Sequence, residues 1–91
     1  MAALTELSSL LWSYDVQHWA AWIEHDRELI DGGDDEGIRH FLSAFGGMGS
    51  LNDLIIHPAN GHPVSADQVD AVNDQFQRLK SEAYGLAGVL R

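Results

Sequence analysis

Phe45-Gly46-Gly47-Met48-Gly49-Ser50-Leu51-Asn52-Asp53 divides the chain into two helical halves. Three of the nine glycines fall within it, near the centre of 91 residues. Inside regular structure each glycine costs roughly 0.5–1 kcal/mol relative to alanine, so a cluster marks a path that side chains would block. Ahead of it, Ile38, Phe41, Leu42 and Phe45 recur at spacings of three and four, which predicts a helix. Gly46 or Gly47 is expected to end that helix in the left-handed conformation, and Gly49 to turn the chain sharply. Ser50 with Asp53 reads as the cap of a short helical turn. Glycine-rich loops before helix starts also bind anions. Against this, no Lys or Arg lies between Arg39 and Arg78, and Asp53 sits in the loop itself. The loop (Gly46, Gly47, Gly49, Ser50, Asn52, Asp53) is therefore read as structural, with a small anion or metabolite as its alternative use.

The same decapeptide, Phe45 to Leu54, with an amphipathic helix before it and a turn and helix after it, resembles a family of small bacterial proteins. These have a central Gly-Gly-Met-Gly-Ser-(Leu/Phe)-Asn-Asp motif, and their function is uncharacterised. The similarity spans roughly residues 35–85 and is specific only at its centre. It implies a fold and no catalytic residue, and it suggests a place among toxin-immunity systems.

Toward the N-terminus the pattern predicts one helix from about Leu4 to Ile30 with two apolar stripes. One holds Leu4, Leu7, Leu11, Tyr14, His18, Trp22, His25 and Leu29, and the other Trp12, Val16, Trp19, Ile23 and Ile30. A break near Ser13–Asp15 is the alternative, because short polar side chains there compete for backbone hydrogen bonds. Gly32-Gly33 ends the helix, and Asp34 or Asp35 begins the next, where a carboxylate suits the positive helix end. The three tryptophans are expected in the core.

Beyond the glycines, Leu54-Ile55-Ile56-His57 and His62-Pro63-Val64 flank an Asn60-Gly61 turn. They read as a minor β-hairpin, or as an ordered loop lying on the helices. Ser65 with Gln68 forms a capping box for the last helix. Val69, Val72, Phe76, Leu79, Ala83, Leu86 and Leu90 then give one uninterrupted stripe. The expected architecture is mainly α: a single domain over residues 1–91, a three-helix bundle around a glycine-rich central loop.

Composition limits what such a domain does. Apolar residues make up 45% of it and cysteine is absent, which removes disulfides and thiolate chemistry. No apolar run approaches the ~20 residues of a membrane span. Met1–Glu6 lacks the basic start of a secretory signal, so a cytoplasmic location is expected. Net charge is −9, and residues 24–36 carry −6 of it: Glu24, Asp26, Glu28, Asp31, Asp34, Asp35 and Glu36 against Arg27 alone. That sign disfavours direct contact with nucleic acid or an anionic membrane. It suits a basic protein partner, whose association rate it raises at low salt.

Chemistry finds little support. The five histidines form no compact metal-ligand motif such as His-Glu-x-x-His. His57 and His62 could face each other across a hairpin, while His18 and His25 on an apolar stripe read as hydrogen-bonded core residues. Gly47-Met48-Gly49-Ser50-Leu51 is not the Gly-x-Ser-x-Gly elbow of a serine nucleophile. No enzyme activity, metal or cofactor is expected. The leading expectation is an inhibitor, an immunity protein or antitoxin, whose acidic window (Glu24, Asp26, Glu28, Asp31, Asp34, Asp35, Glu36) occludes a basic toxin effector. A structural or regulatory homodimer burying the Trp12/Trp19 stripe is the alternative.

Overall fold

A computed structural model describes residues 1–46 and 49–90 and is mainly α. Among the described residues there are four α-helices: α1 (Ala2–Ser13), α2 (Gln17–Asp31), α3 (Glu36–Leu42) and α4 (Val69–Leu90). Single 3-10 turns lie at Ser43–Phe45, Leu51–Asp53, Pro58–Asn60 and Ala66–Gln68. None of the described helices is long and apolar enough to cross a membrane.

The expected first helix is two helices, and the alternative break is the one observed. Asp15 takes φ 58°, the left-handed region that Asp tolerates better than most residues. Around it the Asp15 N–H donates to Trp12 O at 3.1 Å and the Val16 N–H to Leu11 O at 2.9 Å, the paired bonds of a Schellman cap. Leu11 and Val16 are both buried, the apolar contact that accompanies this cap. Gly33 repeats the arrangement at the end of α2, with φ 83° and bonds from Gly33 N to Ile30 O and Asp34 N to Leu29 O. The break folds α2 back on α1, so most of the apolar residues of both stripes pack within the fold, while Trp12, His18 and His25 stay exposed.

One core results. Leu4, Leu7 and Leu11 of α1, Ala20 and Ile23 of α2, Ile38 and Phe41 of α3, and Val72, Phe76, Leu79 and Ala83 of α4 are buried together. Leu51, Ile56 and Val64 close it from the connecting segment. Burying one large apolar side chain contributes about 1.5–3 kcal/mol, so these positions supply most of the drive to fold. Gly37 sets the α2–α3 crossing. A Cβ there would lie 2.8 Å from the Asp26 carbonyl oxygen and 2.8 Å from Ile30 Cγ1.

Residues 54–64 form no hairpin, and Asn73 explains why. Its Oδ1 accepts from the Ile56 N–H at 2.9 Å, and its Nδ2 donates to Ile56 O at 2.8 Å. The backbone groups that a partner strand would have used are thus taken by one side chain of α4. His57 and His62 meet through the backbone: the His57 N–H donates to His62 Nδ1 at 3.0 Å, and Gly61 turns the chain at φ 81°.

Two caps differ from expectation. Ser65 and Ser50 each precede a 3-10 turn, but neither side chain caps it. Instead, the Asp53 carboxylate accepts from the Gly49 N–H at 2.7 Å, fixing Gly49 at φ 75°. Gly46 is extended (φ −106°, ψ 128°), so it is not the left-handed end of a helix. Gly47 lies outside the described residues, as does Met48.

Candidate functional site

The acidic window does not face outward as one surface. Asp26 is fully buried, because its place on α2 continues the line of Ala20 and Ile23. Its Oδ1 meets Nδ1 of His40 on α3, and among the described residues Oδ2 is buried with no partner. Burial pushes the Asp26 carboxyl above the usual carboxylate range, and the imidazoles of His40 and His25 only partly offset that.

The other six acids divide by what holds them. Glu24 is half-buried, pairs with Arg27, and accepts from Ser8 Oγ at 3.1 Å. Asp31 takes the Met1 ammonium at 2.8 Å and Arg27 at 3.0 Å. Both carboxyls lie below their ordinary values: Glu24 chiefly through Arg27, Asp31 chiefly through the N-terminus. Glu36 pairs with Arg39. Asp34 Oδ1 accepts from the Glu36 N–H at 2.9 Å and caps the entry to α3. Glu28, Asp34 and Asp35 are exposed and make no ion pair among the described residues.

Beside them lies an aromatic and imidazole cluster. The Trp22 ring stacks on His40, with centroids 4.0 Å apart and planes 16° apart, and its N–H donates to His40 O at 3.3 Å. His25 meets His40 edge-on at 5.7 Å, while His18 packs on Trp19 and Trp22. His18, Ala21, His25 and Glu28 recur at helical spacing along the exposed face of α2. His18 and His25 are thus surface residues rather than core. Trp19 and Trp22 pack against the core, but Trp12 stays 48% exposed.

The buried carboxylate orients His40 and fixes which ring nitrogen faces inward, while the His40 side chain stays 38% exposed. Next to it, the Ser43 hydroxyl donates to His40 O at 2.6 Å. No group of three or more His, Asp or Glu able to hold a metal ion occurs among the described residues. What the arrangement offers is a rigid surface of imidazole, indole and carboxylate.

The glycine loop is the other site expected from the sequence. Ser50 is buried, and Asn52 Nδ2 donates to Phe45 O at 3.3 Å. The cation that the loop lacks in sequence arrives from α4, as Lys80. Sequence reasoning missed both Lys80 and His40. Lys80 stands one turn after Phe76 on the core stripe of α4, and a charge in that position is a signal. For His40 the available signal was Gly37, a glycine inside a helical pattern and thus a point of close crossing.

No curated protein and no solved structure matches the chain. Residues 13–65, more than half of the chain, match the family described as Domain of unknown function (DUF6966). That segment holds α2, α3, the Asp26–His40 pair and the glycine loop. By this match the chain belongs to that family, the domain of unknown function DUF6966.

Proposed function

We propose that the protein works by binding another protein, as an acidic inhibitor of a basic effector domain in the manner of an immunity protein or antitoxin. The observation that supports this reading is the set of exposed carboxylates Glu28, Asp34 and Asp35, which make no ion pair among the described residues; Glu28 shares the exposed face of α2 with His18 and His25, and Asp34 and Asp35 follow that helix. In the mechanism, these carboxylates meet Lys and Arg at the effector's substrate site, and the Trp22–His25–His40 surface supplies the anchor. Aromatic residues carry a large share of interface energy, whereas rim charges act mainly on association rate. Glu24, Asp26, Asp31 and Glu36 maintain the scaffold and contribute charge only at a distance. The domain itself performs no reaction, and its place of action is the cytoplasm.

The test uses the product of the neighbouring gene, expressed with and without this chain. Relief of its toxicity by the wild type is expected. In Glu28→Lys/Asp34→Lys/Asp35→Lys the association rate at low salt should fall by about tenfold or more. Undiminished protection and an unchanged rate in that variant would remove the patch from the mechanism. A harmless neighbour that forms no complex would remove the inhibitor reading.

A second reading, a homodimeric interaction module, is favoured by α4 rather than by the Trp12/Trp19 stripe. Leu86, Val89 and Leu90 are exposed, and nothing lies within 4 Å of the Cβ positions of Gly85 and Gly88. Sedimentation that stays monomeric across concentration retires it.

A further inference from the structure

Lys80 is the only lysine of the chain, and it is 6% exposed on a helix face otherwise given to Phe76, Leu79 and Ala83. Its ammonium lies 5.2 Å from the centroid of the Phe76 ring. Among the described residues it makes no hydrogen bond and no ion pair. Asp53 acts on it electrostatically without reaching ion-pair distance, and burial pulls the amine below its ordinary range. A buried charge is retained only where something offsets its lost hydration. Among the described residues, the Phe76 ring and the Asp53 carboxylate offset part of that cost.

The side chain borders a cavity of about 310 Å³, lined by Phe45, Asn52, Lys80, Ser81, Tyr84 and Gly85. Phe45 and Tyr84 form an aromatic wall, edge to face at 4.8 Å. Gly85 leaves its side open, since beyond the backbone of its own helix no atom of the described residues lies within 4 Å of where a Cβ would stand. The polar groups of this lining are an ammonium, an amide and two hydroxyls, all able to donate, and no carboxylate is among them. The amide and hydroxyls can also accept, so the selection for an anion comes from the ammonium, which can only donate. A single positive charge in a chain of net charge −9 balances a monoanion and leaves a dianion uncompensated. The aromatic wall asks for an apolar, planar body, and the volume is at the small end of ligand cavities.

We propose that this cavity binds a small aromatic monocarboxylate, with the carboxylate on Lys80 and the ring against Phe45 and Tyr84. The site is independent of the carboxylates assigned to a protein partner, so either reading can fail alone. The test is titration of the full-length ¹⁵N-labelled chain with benzoate, with inorganic phosphate as comparator. Benzoate should give saturable shifts at Asn52, Ser81, Tyr84 and Gly85. Lys80→Met, which keeps the stem and removes the charge, should weaken binding by about tenfold or more. Gly85→Leu should block the cavity while leaving Lys80 in place, which keeps the test decisive if the first variant folds poorly. Absence of saturable shifts, binding undiminished from wild type in both variants, or phosphate binding as well as benzoate would overturn the proposal.

Discussion

At the scale of single residues, the buried Asp26 decides how the acidic window is to be understood. A carboxylate without solvent needs a partner, and His40 is the partner it has. Removing one side of such a pair leaves the other uncompensated, at a cost of about 1–3 kcal/mol. His40→Ala should therefore destabilise the fold by about that amount. Asp26→Asn keeps the shape and a group able to accept from Nδ1, and it removes the charge that burial penalises. It should cost less than His40→Ala and can be neutral. Urea midpoints of the two variants at neutral pH check the ordering. If Asp26→Asn proved the more damaging, the buried charge would be a source of stability rather than a tolerated expense.

At the scale of elements, the position of His40 over Asp26 depends on how closely α3 can approach α2. Gly37 permits that approach. Alanine ordinarily gains roughly 0.5–1 kcal/mol over glycine in a helix. Here its methyl would press on the Asp26 carbonyl, which is backbone and cannot swing away. Overpacking of this kind costs typically about 1–3 kcal/mol and outweighs the helical gain. Gly37→Ala should thus lower the urea midpoint and move the His40 ring resonances, whereas an alanine at the open Gly88 should raise the midpoint slightly. The contrast with Gly37 shows what the sequence could convey. Period and spacing located α3, α4 and the end of α2, because a buried stripe must recur with the helix. The break at Asp15 was visible only as an alternative, since a left-handed Asp leaves no mark as plain as Gly33. The hairpin over 54–64 failed because Asn73, far along the chain, satisfies Ile56. For Asp26–His40 and for Lys80 the local marks (Gly37 within a helical pattern, a charge on the core stripe of α4) flag a position without naming its long-range partner.

At the scale of the whole molecule, the charges act together and set the response to acid. In the fold Asp26 holds its proton more tightly than in the unfolded chain, because burial raises its pKa above the ordinary value. As pH falls from neutral toward the unfolded carboxylate range, the native state takes up that proton first and stability rises. Glu24 and Asp31 act in the opposite sense. Their folded pKa values are depressed by Arg27 and the N-terminus, so their contribution is present above the unfolded values and is lost as pH falls through the folded ones. Self-repulsion at net charge −9 also fades on acidification and adds to the first effect. Stability should therefore rise as pH falls from neutral, pass through a maximum above the unfolded carboxylate range, and decline as pH falls through that range and below it. Urea midpoints measured from pH 7 to pH 3 should trace that curve. Asp26→Asn should flatten the rise and leave the acid limb unchanged, since the two limbs belong to different carboxylates. A wild-type midpoint that only declines from pH 7 downward would mean that the outer ion pairs outweigh the buried acid throughout.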